Sequence, residues 1–186
     1  MPLKLFMIIL GCYPPGRNIE QHDIFFGIGT SVKDLINDIK AFWTDGGEKI
    51  HIDSWREVNT VDNYRIDVVS NDAENEKDNS KKLFFINLGG YKENDMEEYH
   101  YKILTVAENK GEAIKRSKEI AFYKHTGFKG AESHIDDKYG IDIDNIYDIT
   151  DILPKHLKSK YHIRIQDTTN SSEDQLHVGY LKLSKL

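Results

Sequence analysis

Residues 3–11 are an apolar run broken only by Lys4 and ended by Gly11, and after it Ile24, Phe26 and Ile28 share the parity of Glu20 and His22. Both stretches, 3–11 and 22–29, predict strands, and because successive side chains of an extended chain point to opposite faces, the second begins with an acid and an imidazole on its apolar face. The period then changes. Val32, Leu35, Ile36, Ile39, Phe42 and Trp43 recur at helical spacing, predicting a helix over 31–43, with Ser31 and Asp34 spaced as a capping box. Two short strands, 49–58 and 63–69, are expected to close the pattern as a pair.

The same pattern returns. "LFMIILGCYPPGRNIEQH" (5–22) lies over "LFFINLGGYKENDMEEYH" (83–100) at a spacing of 78 without a gap, with eight identities in 18 positions. Glu20 and His22 fall on Glu98 and His100. "HIDSWREVNTVDNYRI" (51–66) lies over "HIDDKYGIDIDNIYDI" (134–149) at a spacing of 83, which sets His51 and Asp53 on His134 and Asp136. Strands are expected at 82–89 and 99–106, then a helix with Asn109 and Glu112 spaced like Ser31 and Asp34, then strands at 133–136 and 145–149. An internal repeat outranks other organisational signals. The expectation is an α+β protein of two repeated ββαββ lobes with mainly antiparallel sheets. The first repeat is 1–69, the second is 83–150, and a polar linker spans 70–82. The C-terminal extension, 151–186, reads as a helix or turn followed by a β-hairpin made of "YHIRIQ" and "HVGYLKLS".

The motifs "GRNIEQHDIFFGIG" and "HIDSWREV" resemble an uncharacterised bacterial family, catalogued as domain of unknown function 1543. The resemblance implies a short module with a Gly turn, an E-x-H-D step, a helix ending in Trp and an HIDxW strand. Glu20, His22, Asp23, Trp43, His51, Asp53 and Trp55 match that pattern. The second copy departs from it at Tyr101 and Lys138. The family implies no activity.

The charge total narrows the partners. A formal net charge of −6 argues against a general nucleic-acid or anionic-membrane binder, because phosphate binding needs Lys and Arg in excess. One cysteine, Cys12, allows no intrachain disulfide and points to the cytoplasm. The apolar N-terminal run is too short for a membrane span and reads as a strand. A chain of this length can bury a core without a cofactor, and none is required for folding. A homo-oligomer is left open.

The chemistry concentrates in i, i+2 pairs, whose side chains share a strand face. Glu20 with His22 and His51 with Asp53 would gather two imidazoles and two carboxylates in the first lobe. Such a set serves as metal ligands, as an acid/base pair, or as an internal lock for the fold. Arg17 would add an anion contact, while Asp23 and Trp55 complete the expected ligand-binding set. Trp55 shares parity with His51 and Asp53 and is expected on their face. Three functions are consistent with this set. The first is a binding module for a small polar molecule or metal ion in the first lobe. The second is a hydrolase or isomerase using His22 and His51, with Asp53, as acid and base. The third is a protein-interaction module in which the pairs are structural. The G-x-G of "FGIGTS" lacks the third glycine of a dinucleotide fingerprint, and no Walker A, H-E-x-x-H or G-x-S-x-G motif occurs.

Overall fold

A computed structural model describes residues 2–72, 80–91, 94, 96–126, 142–169 and 172–186. The elements in chain order are β1 (Lys4–Cys12), β2 (Gln21–Gly29), a 3-10 turn (Val32–Leu35) running into α1 (Ile36–Phe42), β3 (His51–Glu57), β4 (Thr60–Val61) and β5 (Tyr64–Ser70). There follow β6 (Lys82–Tyr91), β7 (Glu98–Ala107), α2 (Lys110–Thr126), β8 (Asp142–Asp148), α3 (Ile149–Ile152), α4 (Lys155–Lys158), β9 (Tyr161–Asp167) and β10 (His177–Lys182). All paired strands run antiparallel, and the protein is α+β. The chain divides into two compact units, 1–77 with 152–186, and 78–151. Among the described residues no helix is long and apolar enough to cross a membrane.

The first unit holds a four-stranded sheet in the order β10-β3-β1-β2 and a three-stranded sheet in the order β4-β5-β9. Alternation along β1 makes both faces of the larger sheet. Phe6, Ile8, Leu10 and Cys12 turn one way and pack with Val32, Leu35, Ile39, Ile50 and Ile52, beneath the helical segment. Leu5 and Met7 turn the other way and are buried, as are Ile28 and Phe26, their partners on β2. The helix start is held as its spacing predicts. The Asp34 carboxylate accepts the N–H of Ser31 at 3.0 Å and of Thr30 at 2.8 Å, and the Thr30 hydroxyl at 2.7 Å. These bonds pull the Asp34 carboxyl below its ordinary value, the Thr30 hydroxyl most of all.

Two pairings differ from expectation. The strands at 51–57 and 64–70 do not pair with each other: β3 joins β1, whereas β5 pairs with β4 and β9. Asp62 and Asn63 both adopt positive φ, 50° and 64°, and so make the tight turn of a β4–β5 hairpin that leads the chain out of the first sheet. Nor do the two C-terminal strands form a hairpin. β9 runs the full length of β5, from Tyr64↔Asp167 to Ser70↔Tyr161, while β10 pairs with β3. Each covers a strand edge that would otherwise present unpaired backbone groups, and β10 brings Leu181, with Leu183 and Leu186 after it, into the core.

The second unit is a three-stranded sheet, β7-β6-β8, with α2 packed on the Phe84, Ile86 and Leu88 face. Its helix cap follows the predicted spacing: Asn109 Oδ1 accepts the Glu112 N–H at 3.0 Å, and Glu112 accepts the Glu108 N–H at 2.9 Å. The β6–β7 register repeats the β1–β2 register at a spacing of 78, with Gly11 facing His22 and Gly89 facing His100. The third strand differs from expectation. Phe6 faces Glu57 as Phe84 faces Asp148, and a register break falls at Ile9/Leu10 in one sheet and Asn87/Leu88 in the other. Residues 142–148, rather than the HID at 134–136, therefore take the place of β3. His134 and Asp136 lie outside the described residues.

Candidate functional site: a histidine–carboxylate cluster over Gly11

Gly11 faces His22 on one side and His51 on the other, so the three form a row across the sheet on the face away from α1. The missing side chain makes the site. A Cβ on Gly11 would overlap His51 Nε2 and come within 2.7 Å of Asp53 Oδ2. The break between Ile9 and Leu10 leaves Asp53 without a cross-strand partner, between Ile52 and Ser54, as the extra residue of a β-bulge. Asp53 is thereby held beside His51.

Four side chains converge there. His51 Nε2 lies 3.0 Å from Glu20 Oε1 and 3.2 Å from Asp53 Oδ1. His22 Nε2 lies 3.3 Å from Asp53 Oδ2 and 3.6 Å from Glu20 Oε2. Each carboxylate thus spans both imidazoles with one oxygen apiece. Exposure is graded: the His51 residue is only 4% exposed, whereas the His22 side chain is 50% exposed and that of Glu20 43%. Asp53 Oδ2 is buried and makes no hydrogen bond.

The tautomer of His51 follows from its other nitrogen. Nδ1 lies 3.1 Å from the Lys49 carbonyl, which can only accept, so Nδ1 carries the proton. In the neutral ring Nε2 is then a lone pair facing two carboxylate oxygens. Either a proton on Nε2 or a cationic or donor group among the four side chains resolves that opposition. Nevertheless, among the described residues no group of three or more His, Cys, Asp or Glu is arranged to hold a metal ion.

Of the residues singled out in the sequence, Glu20, His22, His51 and Asp53 come together. Arg17 is exposed on the β1–β2 connection and makes no hydrogen bond or ion pair with them. Asp23 faces Leu10, hence the opposite side from His22, and its carboxylate accepts the Ile24 N–H at 2.7 Å. Trp55 is also on the other face. It pairs with Ile8, not with a residue of Gly11's parity, because the bulge at Asp53 reverses the alternation beyond it. There it packs against the core, 5.9 Å from Phe6, and stacks on His177 at 3.8 Å. Trp43 ends the helical segment against the same core. Cys12 is buried on that side as a core residue, its thiol pushed up chiefly by burial and then by Asp45.

The C-terminal strand adds a residue that spacing did not single out. Tyr180 sits in the register break of β10, its ring 4.4 Å from that of His51, and it is 63% exposed. Only the aromatic character of "HVGYLKLS" marked it, since its neighbour is decided by which edge β10 joins.

The second unit carries a related group. The carboxylate that meets His100 is Asp144, at 3.0 Å from Nδ1, and Asp144 occupies the bulge position that Asp53 holds in β3. Asn87 Nδ2 lies 3.3 Å from both, and Gly89 leaves the space that Glu98 and Asp144 occupy.

Three comparisons bear on this arrangement. Residues 17–68 match the model of Domain of Unknown Function (DUF1543). That span contains all four members of the cluster. The chain is also similar to a solved structure described as "Crystal structure of a protein Il1583 from Idiomarina loihiensis", with 24% identity, 97% of each chain covered and a TM-score of 0.58. That likeness is one of fold. No curated protein matches.

Proposed function

We propose that the first unit is a binding module for a small polar molecule bearing a protonated amine, seated at Glu20, His22, His51 and Asp53. The observation that carries this is the pair of carboxylate oxygens 3.0 and 3.2 Å from His51 Nε2, with Nδ1 committed to Lys49 O: unless Nε2 takes a proton of its own, the two oxygens face a lone pair there. With neutral rings the two carboxylates give the cluster two negative charges and a surplus of acceptors. An ammonium group supplies the missing charge and N–H donors together, and charge-assisted bonds of this kind are the stronger ones. Asp53 Oδ2 points the same way: it is buried, its contact with His22 Nε2 at 3.3 Å is not a hydrogen bond, and a ligand donor would supply one. The exposed Tyr180 ring beside His51 offers a wall for the ligand's carbon chain.

The shared register and the Asp53/Asp144 correspondence support reading the two units as copies of one module. Among the described residues the second copy shows one imidazole–carboxylate pair, bridged by Asn87, whereas the first shows all four side chains converging, which favours the first for the ligand site. An acid–base enzyme using His22 and His51 is favoured by one observation: both rings reach both carboxylates, which gives a proton a path between them. The single buried cysteine supports a cytoplasmic setting.

The test is thermal shift and calorimetry with ethanolamine, putrescine and, as separate arms, glycerol and Zn²⁺. The expected outcome is saturable amine binding, weakened about tenfold or more by His22→Gln and by Asp53→Asn and unchanged by Asp144→Asn. Absence of amine binding overturns the proposal. If Zn²⁺ binds instead, and His22→Gln abolishes it, the site is a metal site.

A further inference from the structure

The β4-β5-β9 sheet carries charge that the histidine cluster does not use. In its register Asp67 faces Arg164, and Arg65 precedes Asp67 by two residues, so the three stand on one face. Asp67 Oδ2 receives Arg65 Nε at 2.9 Å, Arg65 Nη2 at 2.8 Å and Arg164 Nη2 at 3.3 Å. One carboxylate oxygen therefore serves two guanidiniums, and one positive charge is left over. Arg164 Nε is moreover buried with no hydrogen-bond partner. A buried N–H of a charged group left without an acceptor is costly, and a structure tolerates it where something else can supply the acceptor.

These residues line a cleft of about 750 Å³, together with Lys4, Asn59 and Asp174. Lys4 Nζ donates to Asn59 Oδ1 at 2.8 Å and lies 3.9 Å from Glu57. Of the other acids lining the cleft, Asp174 is already committed. Both oxygens of Asp174 accept the Asn59 N–H, at 3.1 and 3.2 Å, its side chain is 3% exposed, and Arg56 lies 3.9 Å away. Glu173 also lines the cleft, where it is exposed and acts on Arg56 as Asp174 does, so Arg56 stands against these two acids. The spare charge is thus on the arginine side.

We propose that this cleft binds a small oxyanion, the carboxylate or phosphate group of a ligand, at Arg164 and Arg65, with Lys4 also in its lining. Guanidinium N–H groups set in a planar fork match the oxygens of either anion. Asp67 acts as the resident counter-anion that the ligand displaces in part.

The test is titration of the full chain with inorganic phosphate and, separately, malonate, at constant ionic strength balanced with chloride. Saturable binding of either is expected, and which one binds tells phosphate from carboxylate. Arg164→Gln is expected to weaken it about tenfold or more, and Asp67→Asn to strengthen it several-fold by removing the competing charge. His22→Gln is expected to leave it unchanged. The proposal is overturned if neither anion binds, if Arg164→Gln leaves the affinity as it was, or if Asp67→Asn weakens binding. Should Arg164→Gln fail to fold, Arg65→Gln and Asp67→Asn decide in the same directions.

Discussion

Replacing Gly11 by Ala tests whether the cluster depends on the gap in β1. The backbone there has an ordinary φ, so alanine by itself would stabilise by about 0.4–1 kcal/mol through the unfolded chain. The added methyl, however, overlaps His51 Nε2 and crowds Asp53 Oδ2. Overpacking of a filled site costs about 1–3 kcal/mol. Swinging His51 aside also forfeits its bond to Lys49 O, about 1 kcal/mol more. The net expectation is a loss of about 1–3 kcal/mol, read as a lower urea midpoint, with displaced His22 and His51 imidazole resonances and loss of amine binding. Gly16→Ala is the control. Gly16 has φ +78° and nothing within 4 Å of a Cβ, so alanine there costs about 1 kcal/mol of backbone strain and leaves the imidazole resonances in place. A Gly11→Ala protein at least as stable as the parent, with unchanged imidazole resonances, would refute the packing argument.

Asp34→Asn should lower stability near neutral pH. The Asp34 carboxyl is held below its ordinary 3.8, so its contribution is present above that value and is lost as pH falls through the folded one. The gap between mutant and parent urea midpoints should therefore hold steady from neutral pH down to about pH 5 and narrow as the pH falls below 3.8, and a gap that widens in acid contradicts the sign. Cys12, buried and with its thiol pushed up, should react with a thiol reagent such as DTNB only once denaturant unfolds the first unit; rapid labelling of the native protein would place it at a surface.

Much of the local architecture was legible in the chain. The apolar run over 3–11 and the shared parity within 22–29 placed β1 and β2, and the two-residue repeat of an extended chain put Glu20 and His22 on one face. The acceptors at Asp34 and Asn109 marked the two helix starts, because a cap satisfies N–H groups only a few residues away. The two i, i+2 pairs named the four members of the cluster. What spacing could not show is whatever hydrogen bonding between distant strands decides. A bulge is a relation between β3 and β1, so the reversal that sends Trp55 to the opposite face from His51 is invisible in "HIDSW" alone. The partner of His100 depended on which segment docks beside β6, and this was 142–148, eight residues beyond the segment that the matching HID proposed. β9 and β10 look like a hairpin in sequence, yet each joins a different sheet. Strand character is local, but the choice of edge is settled by the core that the docked strand buries, here Leu181, Leu183 and Leu186. That choice is also what carries Tyr180 to His51.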